Sequence, residues 1–410
     1  MNQFRHAASP PLTPGASLLG SRDFLHLWAV GGIANGMRWL EVLAAALFTL
    51  EVTGSPLAVA AVTAARTLPL IVIGGFAGVL ADAVDRRRIV IGGMVLSAAC
   101  SGAIAVLAAL GVVRPWHLFL SSFISGLVYG TELSARRRMV GECVAPRLLP
   151  RAVALDSLTS SAARAIGPLL GGAAYEWLGL PRTFLLSASL NLFAAWLAAR
   201  VHHVQVPRRL SLASMFTDIA EAFLILRRSP VLSALLGVTL AQNLFGWAYT
   251  SLVAPVGLDV FGVSASLVGV LAAAEPGGAA LGGLGMALIG SLPGRQIWWL
   301  WSGSAIFLTL LATFPVIGTF WAALGVLVAA GLGVALYTNQ QTTIALTDAP
   351  AAVRSRVMGL LTMAIGTWPL GQLLAGWLAS RIGPLHALGA LGTTGLAVLL
   401  VVAPTMLRRR

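Results

Sequence analysis

Apolar runs dominate this chain and recur between short polar breaks. A bilayer core accepts a helix of about 20 apolar residues, and runs of that kind fall near 24–49, 57–81, 89–112, 116–135, 152–176 and 183–200. They resume near 231–254, 266–290, 296–316, 319–346, 355–379 and 385–407. The pattern predicts an all-α integral membrane protein with 12 transmembrane helices in two six-helix bundles. The expected organisation is an N-terminal segment 1–23, a first bundle 24–200, a connector 201–230, a second bundle 231–407 and a basic tail 408–410. Within the connector, Leu212, Met215, Phe216, Ile219, Phe223 and Leu226 recur at helical spacing, with Asp218, Glu221, Arg227 and Arg228 off that stripe. An amphipathic helix lying on the membrane surface fits this pattern. A plain tether between the halves fits it equally well.

Composition sharpens the picture. Only 10% of residues are charged and 58% are hydrophobic, against about 25% charged in soluble domains. A water-soluble body could not be covered with so few charges, so the basic balance does not mark a nucleic-acid partner. All 27 basic residues are arginine, against 14 acids, a net charge of +13. Twenty-one of the arginines fall on one side of the predicted spans, among them Arg86 to Arg88, Arg136 to Arg138 and Arg354. Arg114, Arg182 and Arg381 fall on the other. Cationic loops stay in the cytoplasm, so both termini and the connector are expected there, in a cell (inner) membrane. The first span is read as retained, because no cleavage pattern follows a basic start. Cys100 and Cys143 give neither a disulfide framework nor metal-ligand spacing. No nucleotide fingerprint or catalytic triad is seen, so neither an enzyme nor a cofactor is expected. The expected partners are membrane lipid and a small-molecule substrate, and the expected state is a monomer.

The halves echo each other. Pro69, Gly75 and Gly78 recur as Pro276, Gly282 and Gly285 at a constant offset of 207 residues. Six-plus-six repeats of this kind underlie transporters that rock around a midplane site. The loop after the second span reads Gly78-Val-Leu-Ala-Asp82-Ala-Val-Asp85-Arg86-Arg87-Arg88. It resembles the cytoplasmic signature of the major facilitator superfamily, Gly-x-x-x-Asp-Arg-x-Gly-Arg-Arg. The resemblance implies a gating role for Gly78, Asp82, Asp85, Arg86, Arg87 and Arg88, with the acid pairing to arginine and to a helix end of the other half. Two positions depart from it: Ala83 stands for the usual arginine and Asp85 for the usual glycine. In the fifth span, Gly167-Pro168-Leu-Leu-Gly171-Gly172 resembles the antiporter motif of exporters in that superfamily, with Ala154 and Ala163 where two further glycines are usual. Small residues allow close helix approach, and Pro168 permits a bend. Thr53-Gly54-Ser55-Pro56 and Arg354-Ser-Arg356-Val-Met-Gly359 add a likeness to the branch containing the enterobactin exporter and macrolide-efflux proteins.

Ionisable residues inside a membrane are costly and are functional candidates by default. Arg38 and Glu41 lie three apart in the first span, close enough to pair. Arg66, Glu132 and Arg164 lie in spans two, four and five. Glu275 stands beside Pro276 in span eight with no arginine in the same helix, and reads as an isolated carboxyl. Such a group can exchange a proton during transport, so Glu275, Glu132 and Glu41 are the proton-coupling candidates. The resemblance implies a central cavity lined by Asn35, Arg38, Trp39, Arg66, Arg164, Gln242, Asn243, Trp247, Asn339, Gln340, Trp368 and Gln372. Gln and Asn can also simply bridge helices. The expected function is export of a small amphiphilic molecule, a drug-like compound or a siderophore, by proton antiport and alternating access. Lipid or lysolipid flipping, or a transporter-like sensor or scaffold, are the alternatives.

Overall fold

The computed structural model describes residues 18–69, 85–202, 229–289, 293–348 and 354–407. The connector stripe, Gly78 and Asp82 lie outside these residues. In the first half, α1 is Arg22–Thr53, α2 Pro56–Ala65, α3 Arg86–Ala109, α4 Pro115–Cys143 and α5 Leu149–Ala199. In the second, α6 is Pro230–Ala241, α7 Ala265–Ile289, α8 Gln296–Ala312, α9 Phe320–Thr347, α10 Arg354–Ile365, α11 Trp368–Ile382 and α12 Pro384–Leu407. Among the described residues, ten helical stretches are long and apolar enough to cross a membrane. One of them, Pro146–Ala199, runs 54 residues and bends at Gly179 (φ 73°, ψ 170°), which makes it two crossings. The ten-residue α2, shorter but also apolar, falls where the sequence predicts the second span. The chain is therefore an all-α membrane protein of 12 spans in two bundles.

Local chemistry sets the helix ends. Gly54 closes α1 in the left-handed conformation (φ 60°), and its N–H donates to the Leu50 carbonyl at 2.7 Å. Ser55 then caps α2, with Pro56 in its first turn. The Thr-Gly-Ser-Pro run is thus one helix stop followed at once by one helix start. Asp85 caps α3 by accepting from the Arg87 N–H at 3.0 Å. A carboxylate at a helix N-terminus satisfies an orphan donor and complements the helix dipole, which accounts for Asp85 where the superfamily has glycine. Arg86 pairs with Glu142 at the end of α4, and Arg87 donates to the Ala199 carbonyl at the end of α5. These arginines staple the ends of the first bundle together.

One apolar core lies in the first bundle near this arginine-rich end, around Phe24, Val90, Met139 and Ala198. A second, around Ala45, Ile104 and Phe184, lies near the opposite end. The third belongs to both halves: Leu43, Leu47, Leu50 and Val59 pack into the cluster of Leu252, Val256, Val268 and Leu271. The halves therefore share a sealed interior away from the arginine-rich end.

Glycines permit this closure. A Cβ on Gly172 of α5 would meet the Ala265 carbonyl oxygen of α7 at 2.3 Å, and one on Gly269 would meet the Pro168 oxygen at 2.7 Å. The backbones of α5 and α7 touch there. On the other face of α5, Gly167 and Gly171 admit Trp39 and Leu40 of α1. The motif read as antiporter-like is, physically, a double helix contact joining α1, α5 and α7.

Candidate functional site

Where the sealed interior ends, a cavity begins. It holds about 710 Å³ and runs from Arg164 and Pro276 towards the arginine-rich end, between Leu158 of α5, Leu284 of α7 and Asn339 of α9. Asn35, Arg38 and Trp39 of α1 and Tyr129 of α4 form its inner wall. A smaller apolar chamber beyond it, lined by Trp247, Tyr249 and Glu275, shares Trp39 and Arg164 with the main cavity. A side lobe is lined by Arg38, Arg66, Trp368 and Gln372.

A charged pair closes the apex. Arg164 Nη2 of the first half donates to Glu275 Oε1 of the second at 2.7 Å. Tyr249 donates its hydroxyl to Glu275 Oε2 at 3.0 Å, and the Arg164 guanidinium lies 4.6 Å from the centre of the Trp247 ring. Glu275 is therefore paired across the halves, contrary to its reading as an isolated carboxyl. Same-helix spacing could not show this, because its partner is 111 residues away.

The segment that supplies Trp247 and Tyr249 is irregular. After α6 the backbone passes through a π-helical turn (Gln242–Gly246), a 3-10 turn (Trp247–Ser251) and a second π-helical turn (Val256–Val260). Such turns re-aim side chains and mark functional sites. Trp368 Nε1 and Gln372 Nε2 bond to this segment, at the Trp247 carbonyl (2.9 Å) and the Thr250 hydroxyl (3.1 Å). The break between α10 and α11 is thereby tied to the irregular one.

The other two acids stay within the first bundle. Glu41 pairs with Arg66 at 3.2 Å, and not with Arg38, which the spacing left open as a partner. Its second oxygen accepts from Ser101 at 2.5 Å and Ser187 at 2.6 Å. Arg38 instead stacks on Tyr129, 3.6 Å from the ring centre. Glu132 accepts from Arg136 at 2.7 Å, and Arg136 also donates to Asp156 at 2.5 Å. Arg136 is fully buried, whereas the side chain of its neighbour Arg137 is 57% exposed. Gly31 makes room for that guanidinium: a Cβ there would meet Nη1 at 2.3 Å.

Three predicted cavity residues line none of these cavities. Gln242 accepts from Ser304 at 2.6 Å, Asn243 donates to the Thr239 carbonyl at 2.9 Å, and Gln340 is buried. The first two bond to residues of the second half. At the far end, Glu176 of α5 accepts the Ser266 N–H at the start of α7 at 2.6 Å. This supplies a cap across the halves.

The fold and this cavity between the two halves are those of a major facilitator superfamily transporter. Residues 13–409 match the family MFS_3, described as transmembrane secretion effectors, and the chain belongs to that family. It is 28% identical to the multidrug efflux pump Tap of Mycolicibacterium fortuitum, over 87% of this chain and 88% of that one. It is 23% identical to macrolide efflux protein A of Streptococcus pyogenes, over 92% and 94%. Among solved structures it is similar to a bacterial homolog of the human lysosomal transporter Spinster, in an inward-facing and unoccupied conformation (TM-score 0.72, 15% identity, 96% of each chain). A POT peptide transporter matches with a TM-score of 0.74 at 14% identity, again over 96% of each chain.

Proposed function

We propose that this protein exports a small amphiphilic molecule, a drug-like compound or a siderophore, by proton antiport and alternating access. The observation that carries the reading is the Arg164–Glu275 pair, which joins the halves at the closed end of a cavity open towards the other. With Glu275 ionised, the pair holds the outer half shut. Rocking of the bundles separates it and presents Glu275 to the outside, where the carboxyl takes up a proton as cargo leaves. Re-forming the pair on return expels that proton to the inside. The arginine distribution supports a cell-membrane location with both termini in the cytoplasm. The efflux names of Tap and macrolide efflux protein A support the export direction.

The test is efflux from proteoliposomes under an imposed pH gradient, with macrolides and siderophores as cargo. Gradient-driven flux should be abolished by a protonophore and by Glu275→Gln. Flux indifferent to the protonophore would overturn proton coupling, and an unchanged rate in Glu275→Gln would clear that residue of the role.

A further inference from the structure

The walls of the main cavity carry two charged side chains among the described residues, Arg38 and Arg164, and no carboxylate. Arg164 is neutralised by Glu275 at the apex. No ion pair within the described residues neutralises Arg38: Glu41, three residues on, gives one oxygen to Arg66 and the other to Ser101 and Ser187. Its ring partners are Tyr129, 3.6 Å from the ring centre, and Trp39, 5.6 Å away. Those contacts offset part of the cost of a cation in the membrane interior. They leave the N–H fork of the guanidinium available to a ligand.

We infer that the cavity is an anion site, in which Arg38 holds the carboxylate, phosphate or sulfonate group of an amphipathic cargo. A guanidinium fork matches such groups through two parallel hydrogen bonds. The rest of the cargo lies between the apolar walls of the two halves, where Leu158 is 66% and Leu284 60% exposed. The net charge of +13, concentrated at the end towards which the cavity opens, favours entry of anions over cations. The assignment rests on the cavity being the cargo site, but not on proton coupling.

The test is equilibrium binding of radiolabelled decanoate to the full chain in neutral maltoside micelles, with competitors of equal chain length. Decyl phosphate should displace it, decyltrimethylammonium should compete at least tenfold more weakly, and decanol should compete through its apolar body alone. Arg38→Gln should weaken decanoate at least tenfold, about 1.4 kcal/mol, while keeping decanol affinity and a monodisperse elution profile. Leu284→Trp, which fills the cavity and spares Arg38, should lose all the probes. A cation that binds as tightly as the anions, no saturable decanoate binding, or full decanoate affinity in Arg38→Gln would each overturn the assignment. Comparing decyl phosphate added from water with a single-chain phosphate lipid presented in nanodiscs identifies the source of the anion, and preference for either supports the site. Binding needs no gradient, so loss of proton-driven flux with anion binding intact would refute the antiport reading alone.

Discussion

Replacing Glu275 with glutamine removes one charge of the pair that joins the halves and keeps its shape. Two unit charges about 4 Å apart attract by about 4 kcal/mol at an effective dielectric of 20. The Arg164 side chain is 21% exposed and that of Glu275 2%, so solvent weakens the attraction, and glutamine retains an acceptor for Arg164. A net loss of about 2–3 kcal/mol remains. Because the pair bridges the halves in this arrangement, the loss falls on the equilibrium between it and a form opened at the far end. If the closed form holds about 99 parts in 100, losing roughly 2.7 kcal/mol leaves the two forms near parity. Spin labels at Val112 and Val316, far-end positions 51% and 86% exposed, would report the change. Pulsed dipolar spectroscopy, with Cys100 and Cys143 replaced by serine, should show a longer-distance population rising towards half in Glu275→Gln. Acidification should reproduce that shift in the parent protein, because protonation neutralises the same carboxylate, and should add nothing in the variant. Identical distance distributions in parent and variant at neutral pH would refute the latch.

Other expectations test the packing around it. Gly172→Val should abolish the closed form in the same spin-label assay, since even a Cβ would lie 2.3 Å from the Ala265 oxygen; Gly277→Ala, with nothing within 4 Å, should leave it intact. Arg136→Ala should cost about 3–5 kcal/mol by leaving Glu132 and Asp156 buried without their shared cation. Thermal unfolding in detergent should show the loss, and adding Glu132→Gln should recover part of it. Asp85→Ala should cost about 1 kcal/mol of helix capping. Hydrogen exchange at the first amides of α3 should then rise on the order of fivefold.

The spans were legible because length and apolarity alone decide what crosses a bilayer. Pairing was not, because it depends on how helices rotate against each other. Spacing left Glu41 open to either Arg38 or Arg66, and only the packing of α1 against α2 selects Arg66. Successive residues of the Arg136-Arg137-Arg138 run point about 100° apart around α4, so one is buried while its neighbour meets solvent. Asp156 escaped the sequence reading, although the rule that singled out Glu132 would have found it in the fifth span. The irregular stretch after α6 had no proline before Pro255 to announce it. Its consequence, the placing of Trp247 and Tyr249 on Arg164 and Glu275, appears only in three dimensions.

The three candidate acids have the same chemistry and similar burial, at 5%, 2% and 1% exposure for Glu41, Glu132 and Glu275, so burial cannot rank them. Their partners can. Glu41 with Arg66 and Glu132 with Arg136 are joined to residues of their own bundle, and a bundle that rocks as a unit carries both members of such a pair with it. In the proposed cycle their mutual distances stay the same. Glu275 and Arg164 lie on opposite sides of the plane between the bundles. In the proposed cycle rocking changes their separation, which couples making and breaking of this ion pair to the exchange between the two forms. By reciprocity, protonation must bias the rocking equilibrium to the same extent. Of the ion pairs named above among the described residues, this one alone joins the two halves, which is why the proposed proton coupling is assigned to it.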